Sequence, residues 1–175
     1  MKMQLQFRNI LKRLFKKETY NRLKIDGRSK LSSGEFKPSH KLYRGFSSDD
    51  LDENNHLRLE TIKFPDISFN WSKLSRPIDI WSRENGSVSD GCYSITVEDS
   101  RYRNMATPVH SPITNGIENY SHIEVRVLKE GEELTFEPPQ NRKMSSKAKK
   151  QEYRQHIQNA CRIKIKPLKT QQSTL

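Results

Sequence analysis

The sequence predicts an α+β fold: a small, mainly antiparallel sheet domain flanked by basic amphipathic helices at both ends. Three observations carry this. Between Leu42 and Glu137 the apolar residues fall in short alternating runs of strand length, separated by turn residues. Before and after that stretch they recur three and four apart, the period of a helix face. Charge divides along the chain in the same way. Residues 1–40 hold 11 Lys+Arg against 3 Asp+Glu, a net +8; residues 41–139 hold 11 against 17, a net −6; residues 140–175 hold 10 against 1, a net +9. A polyanion therefore meets the two ends before it meets the middle.

The 175 residues suffice for one domain with extensions, and an apolar fraction of 32% predicts one modest core. No run approaches the roughly 18 apolar residues of a membrane span. No apolar leader segment follows Met1, so a cytoplasmic location is expected. The two cysteines, Cys92 and Cys161, form no CxxC pair and read as reduced thiols rather than metal ligands. No motif calls for a cofactor.

Taken in order, residues 1–26 open with LQFRNILKRLFKK, in which Phe7, Ile10, Leu11, Leu14 and Phe15 form a helical stripe with Arg8, Lys12, Arg13, Lys16 and Lys17 around it. Such a helix docks on the domain or on a partner, lies on a membrane surface or contacts nucleic acid. Residues 27–41, GRSKLSSGEFKPSHK, read as a linker. In the sheet-rich core, residues 42–139, the strand candidates are LYRGF, HLRLETIKF, IDIWS, CYSITV, YSHIEVRV and ELTFE. VRVLKEGEELTF reads as a hairpin turning near Gly131, and FPDISFNWSKLSRP as an ordered loop tucked down by its aromatics. Residues 140–175 carry a helix capped by Ser145 or Ser146, with Ala148, Tyr153, Ile157, Ala160 and Cys161 on one face and Lys147, Lys150, Arg154, Gln158 and Arg162 on the other. RIKIKP then alternates as an edge strand or an extended tail.

As a strand, YSHIEVRV places His122, Glu124 and Arg126 on one face and Ile123, Val125 and Val127 on the other. Alternate side chains lie about 6.6 Å apart, so the three polar groups can meet one phosphate. An imidazole, a carboxylate and a fixed cation are the groups metal-free RNA cleavage uses: a base for the 2′-hydroxyl, an acid for the leaving oxygen and a charge for the phosphorane. His110, in TPVHSPI, reads as a loop histidine able to supply the second imidazole. The alternative is a solvated face with a Glu124–Arg126 ion pair. On either reading these side chains point away from the core, so their removal is expected to cost little stability.

Three resemblances bear on the site. Pro65-Asp66 followed by Glu124-x-Arg126 loosely resembles the PD…(D/E)xK nucleases, which would imply Mg²⁺ between two carboxylates; here Arg stands where that family has Lys, and Arg does not release its proton. LYRGF is similar to the first strand of ADP-ribosyltransferases, which implies dinucleotide binding by Arg44, although no ExE follows. FPDISFNWSK and NYSHIEV together resemble segments of an uncharacterised family of small bacterial proteins with PDxSxNxSK-like and YSHxEV-like stretches. That resemblance implies no activity. It implies that Asp66, Ser68, Asn70, Ser72, Lys73, Ser121, His122 and Glu124 converge.

The functional expectation is a cytosolic bacterial protein acting on or bound to nucleic acid, RNA cleavage being its most concrete form. His122, Glu124, Arg126 and His110 are the catalytic candidates, and Asp66, Ser68, Asn70, Lys73 and Arg44 the substrate-binding ones. Lys12, Arg13, Lys16, Lys17, Lys147, Lys150 and Arg154 are the phosphate contacts. The alternatives are an interaction module whose terminal helices dock a protein or an anionic membrane, and an ADP-ribosyltransferase-like enzyme.

Overall fold

The computed structural model describes residues 23–81 and 89–165, Trp81 by its backbone alone. The predicted helix over residues 1–26, apart from its last four residues, and the tail beyond Ile165 lie outside the described residues. Six strands form one antiparallel sheet: β1 (Lys41–Phe46), β2 (Ile67–Trp71), β3 (Gly91–Thr96), β4 (Ala106–His110), β5 (His122–Val127) and β6 (Arg162–Ile165), in the order β4-β5-β2-β1-β3-β6. Three α-helices lie wholly within the described residues: α1 (Pro77–Trp81), α2 (Val97–Ser100) and α3 (Lys147–Ala160). None of the described helices is long and apolar enough to cross a membrane.

Alternation decides which face is buried. Ile123, Val125 and Val127 of β5 stand beside Ile67, Phe69 and Trp71 of β2, Leu42 and Phe46 of β1, and Tyr93 and Ile95 of β3. Tyr153 and Ile157 of α3 close this core, with Leu57, Ile62 and Phe64 from the β1–β2 connection. The packing extends past residues 42–139 on both sides, because Phe36 stacks on Trp71 at 4.1 Å and Tyr153 lies 4.8 Å from Phe64 between ring centroids. Over the other face α1 sits close above β1. A Cβ on Gly45 would stand 3.5 Å from the Ile80 side chain and 2.9 Å from Ser89 Cβ, so only glycine admits that approach.

The sheet departs from the sequence expectation at five places. FPDISFNWSKLSRP holds a strand, β2, in which Ile67, Phe69 and Trp71 face the core while Ser68 is exposed. Residues 78–81 of IDIWS belong to α1, opened by Pro77 at a first-turn position where its missing N–H costs nothing and closed back by Arg76 N–H donating to Asp79 Oδ2 at 2.7 Å. HLRLETIKF makes a single 3-10 turn (Leu59–Thr61) and one isolated bridge, Leu51 to Leu57, rather than a strand. ELTFE and the hairpin predicted at Gly131 are turns: Gly131 has φ +84°, and Thr107 Oγ1 donates to Leu134 O at 2.6 Å, pinning the segment across β4 instead of pairing it with β5. β4 itself takes the place beside β5 that the hairpin would have used. It contains Pro108, which is tolerated because β4 is the edge of the sheet.

RIKIKP yields β6, the opposite edge. Cys92 is buried and Cys161 half-buried, unpaired, and burial pushes both thiols up to about 12.

Candidate functional site: the polar face of β2 and β5

Antiparallel pairing sets Ser68 opposite Glu124 and Asn70 opposite His122, so these four side chains share the face away from the core. Glu124 accepts two hydrogen bonds from Arg126 on Oε2, at 2.9 Å from Nε and 2.6 Å from Nη2. Gln140 Nε2 donates to the same carboxylate at 2.9 and 3.0 Å. Both charged side chains are mostly covered, 13% and 12% exposed, so the pair lies under the segment that follows β5 rather than in open water. Arg126 Nη1 also donates to Pro138 O at 3.0 Å. The charge of each group is thus answered by the other, and together they hold residues 138–140 against the sheet.

His122 Nδ1 lies 2.6 Å from Ser111 O. A carbonyl only accepts, so Nδ1 carries the proton and Nε2 is the nitrogen left available as an acceptor. Beside it Asn70 Oδ1 accepts from Asn119 Nδ2 (2.7 Å) and from Ser121 Oγ (2.9 Å), a polar knot that ties the 111–119 loop to β2.

The remaining predicted site residues do not gather here. His110 is a strand residue, not a loop residue, and it pairs with Ile123, which turns it to the core face, opposite His122. It is fully buried; Leu31 N–H donates to Nδ1 at 2.9 Å and Nε2 donates to Tyr120 O at 2.6 Å. Burial holds its pKa below the ordinary histidine value, with Lys30 and His122 acting in the same direction. Both ring nitrogens are occupied, so His110 has no nitrogen with which to move a substrate proton.

Asp66, at φ +62° just before β2, accepts from Asn141 N–H through Oδ2, while Oδ1 is buried without a partner among the described residues. Arg44 pairs with Tyr93 and donates to Ser68 O at 3.2 Å. At the far end of β2, Ser72 Oγ accepts from Lys41 N–H at 2.9 Å and Lys73 makes an ion pair with Glu35 at 2.7 Å. The stretch from Asp66 to Lys73 pairs with β5 only over Ile67–Asn70, about 10 Å of strand, and turns away after Trp71. It does not close on one point. Gln140, Ser111 and Asn119 belong to the face and were invisible to spacing, since each arrives from a loop.

A second polar feature is the cationic start of α3. Ser146 caps it, accepting from Lys149 N–H at 3.1 Å, and no acidic residue occupies its first turn. Tyr153 OH donates to Ser100 O (2.7 Å) and Arg154 Nε to Ile62 O (2.8 Å), so the middle of the helix is fastened to the body. Arg154 is thereby a backbone anchor. Lys143, Lys147 and Lys149 are exposed, Lys150 is half-buried, and among the described residues none of the four makes an ion pair. The predicted phosphate contacts Lys12, Arg13, Lys16 and Lys17 lie outside the described residues.

Comparison of the chain with protein-family models, with curated proteins and with solved structures finds no match. What the site can do follows from its geometry.

Proposed function

We propose that the protein binds nucleic acid as a phosphate-gripping module through the first turns of α3, and that it binds rather than cleaves. The observation that carries this is the run of cations at Lys143, Lys147, Lys149 and Lys150, none of them ion-paired among the described residues. The unsatisfied N–H groups of a helix start carry partial positive charge, and acids ordinarily sit there. Lysines in that place raise the field instead of cancelling it, at some cost to the helix, which suits an anionic partner. The polar face of β5 favours binding over catalysis: Glu124 and Arg126 neutralise one another, and His110 stands on the other side of the sheet.

The test is a titration of a labelled single-stranded RNA and a DNA duplex with the full chain at 50 and 200 mM salt, beside the triple variant Lys147→Gln, Lys149→Gln, Lys150→Gln. Removing one phosphate-binding charge lowers the slope of log K against log salt by about 0.7 for single strands and about 0.9 for duplex. A fall of about 2 or more is expected. Unchanged affinity and slope would remove the proposal, and RNA turnover that disappears in His122→Ala would replace binding by cleavage.

A further inference from the structure

We propose that residues 28–40 form a strap that acid unlatches from the end of the sheet while the sheet stays folded, with His110 and His40 as its two catches. The strap runs past His110 at the end of β4, Tyr120 before β5 and Trp71 at the end of β2, then enters β1 at Lys41. Among the described residues no backbone–backbone hydrogen bond joins residues 28–37 to the sheet. Side chains hold the strap instead. Leu31 N–H donates to His110 Nδ1 at 2.9 Å, and His40 Nδ1 accepts from Trp71 Nε1–H at 3.0 Å and from Lys37 N–H at 3.2 Å. An N–H only donates, so both imidazoles hold the strap in their neutral form, with no proton on Nδ1.

Protonation at Nδ1 removes all three contacts and puts charge beside Trp71, whose fully buried ring lies 5.5 Å from His40 and 6.0 Å from His110 between centroids. Burial above all resists a charge on either ring, and the charged neighbours divide by sign around each. Lys30 from the strap and His122 from β5 oppose a charge on His110, while Glu137 favours one; Lys37 from the strap and Lys73 after β2 oppose a charge on His40, while Glu35 favours one. Both carboxylates are already engaged by those lysines, Glu137 with Lys30 and Glu35 with Lys73. The seated strap therefore refuses both protons.

The released strap accepts them. Below about pH 6.5 each histidine favours release by a further factor of about ten per pH unit, because the released state alone takes up its proton. Against this stands Phe36, stacked on Trp71 at 4.1 Å, the large side chain that the strap commits to the core and that keeps it seated at neutral pH. The β1–β2–β5 ladder loses no histidine contact to acid: His122 donates from Nδ1 to Ser111 O and keeps that bond when protonated. A segment fastened by side chains opens at lower cost than a hydrogen-bonded ladder, so release of the strap precedes unfolding of the sheet.

The experiment is amide hydrogen exchange of the full chain at pH 7.5 and 5.5, with and without a low concentration of urea, each rate divided by that of an unstructured peptide at the same pH. Expected at Leu31 is protection that falls by about a hundredfold between the two pH values, about tenfold for each histidine, and that barely responds to urea. Amides of the β2–β5 ladder should stay at least about tenfold better protected at pH 5.5 and lose protection steeply with urea, as exchange through global unfolding does. His40→Gln keeps an acceptor but cannot titrate, and at this half-buried position it keeps its fold, which its melting curve verifies; the fall at Leu31 should shrink to about tenfold. Protection at Leu31 that is indifferent to acid overturns the inference. So does protection that matches the ladder amides in both level and urea dependence, or a fall that His40→Gln leaves unchanged.

Discussion

At the residue scale, His110 and Glu124 show how neighbours rewrite a side chain's role. His110 accepts at Nδ1 from Leu31 N–H, and protonation would place a second hydrogen in that contact. Its folded pKa is lowered, chiefly by burial, and that of His40 is lowered by burial with Lys37 and Lys73. The unfolded chain then binds more protons than the folded one once pH falls below about 6.5. Stability should be at its full value above that pH and decline with acid. Urea melts at pH 7.5 and 5.5 check this, and a flat or rising profile would contradict it. His110→Ala should cost about 2–4 kcal/mol at pH 7.5 and shrink the decline, leaving the share due to His40. Glu124 also departs from the sequence expectation of a cheap substitution. Glu124→Ala leaves Arg126 mostly buried without its carboxylate, a loss of about 2–4 kcal/mol, while His122→Ala forfeits one hydrogen bond, about 1 kcal/mol. Equal small losses at both positions would show that the Glu124 network carries no stability.

At the scale of elements, period alone separates faces well and element types poorly. β5 and its two faces were legible because Ile123, Val125 and Val127 alternate with polar residues, and α3 was legible from Ser146 through Tyr153 and Ile157. Yet ISFNW and IDIWS alternate almost equally. What distinguishes them is Pro77 at a helix start in the second and a core partner on each side for the first, β1 and β5, which no local window contains. β4 was hidden by Pro108 for the same reason, since only its edge position makes a proline acceptable. The site shared this limit: the face of β5 could be read, but Gln140, Ser111 and Asn119 could not. In α3 the first-turn lysines set up a prediction with opposite signs in its two readouts. Lys147→Glu with Lys150→Glu should stabilise the helix start by about 0.3–1 kcal/mol per residue, seen as a higher melting temperature, while lowering affinity for nucleic acid. A variant that melts lower would mean that these lysines make contacts that hold the fold.

At the scale of the whole molecule, the division of charge and the division of packing follow different boundaries. The acidic span of residues 41–139 suggests a core that stands alone with basic appendages, and 11 Lys+Arg against 17 Asp+Glu mark it off in the sequence. Packing places the boundary elsewhere. Phe36 is 3% exposed, Tyr153 and Ile157 are fully buried, and β6 completes the sheet beyond β3. Burying a large apolar side chain contributes about 1.5–3 kcal/mol, so these three residues together contribute about 5–9 kcal/mol, comparable with the total stability of an ordinary domain, about 5–15 kcal/mol. A fragment of residues 42–139 should therefore fail to fold, giving no cooperative thermal transition and a poorly dispersed amide spectrum, whereas residues 23–165 keep all of this packing. A cooperative melt of the 42–139 fragment would refute the claim that the basic C-terminal helix is part of the core. The consequence for function follows directly: α3 presents its lysines from a helix whose other face is the floor of the sheet. Charge reversal of Lys147, Lys149 or Lys150, which leaves Tyr153 and Ile157 in place, thus separates binding from folding where truncation of the end removes both.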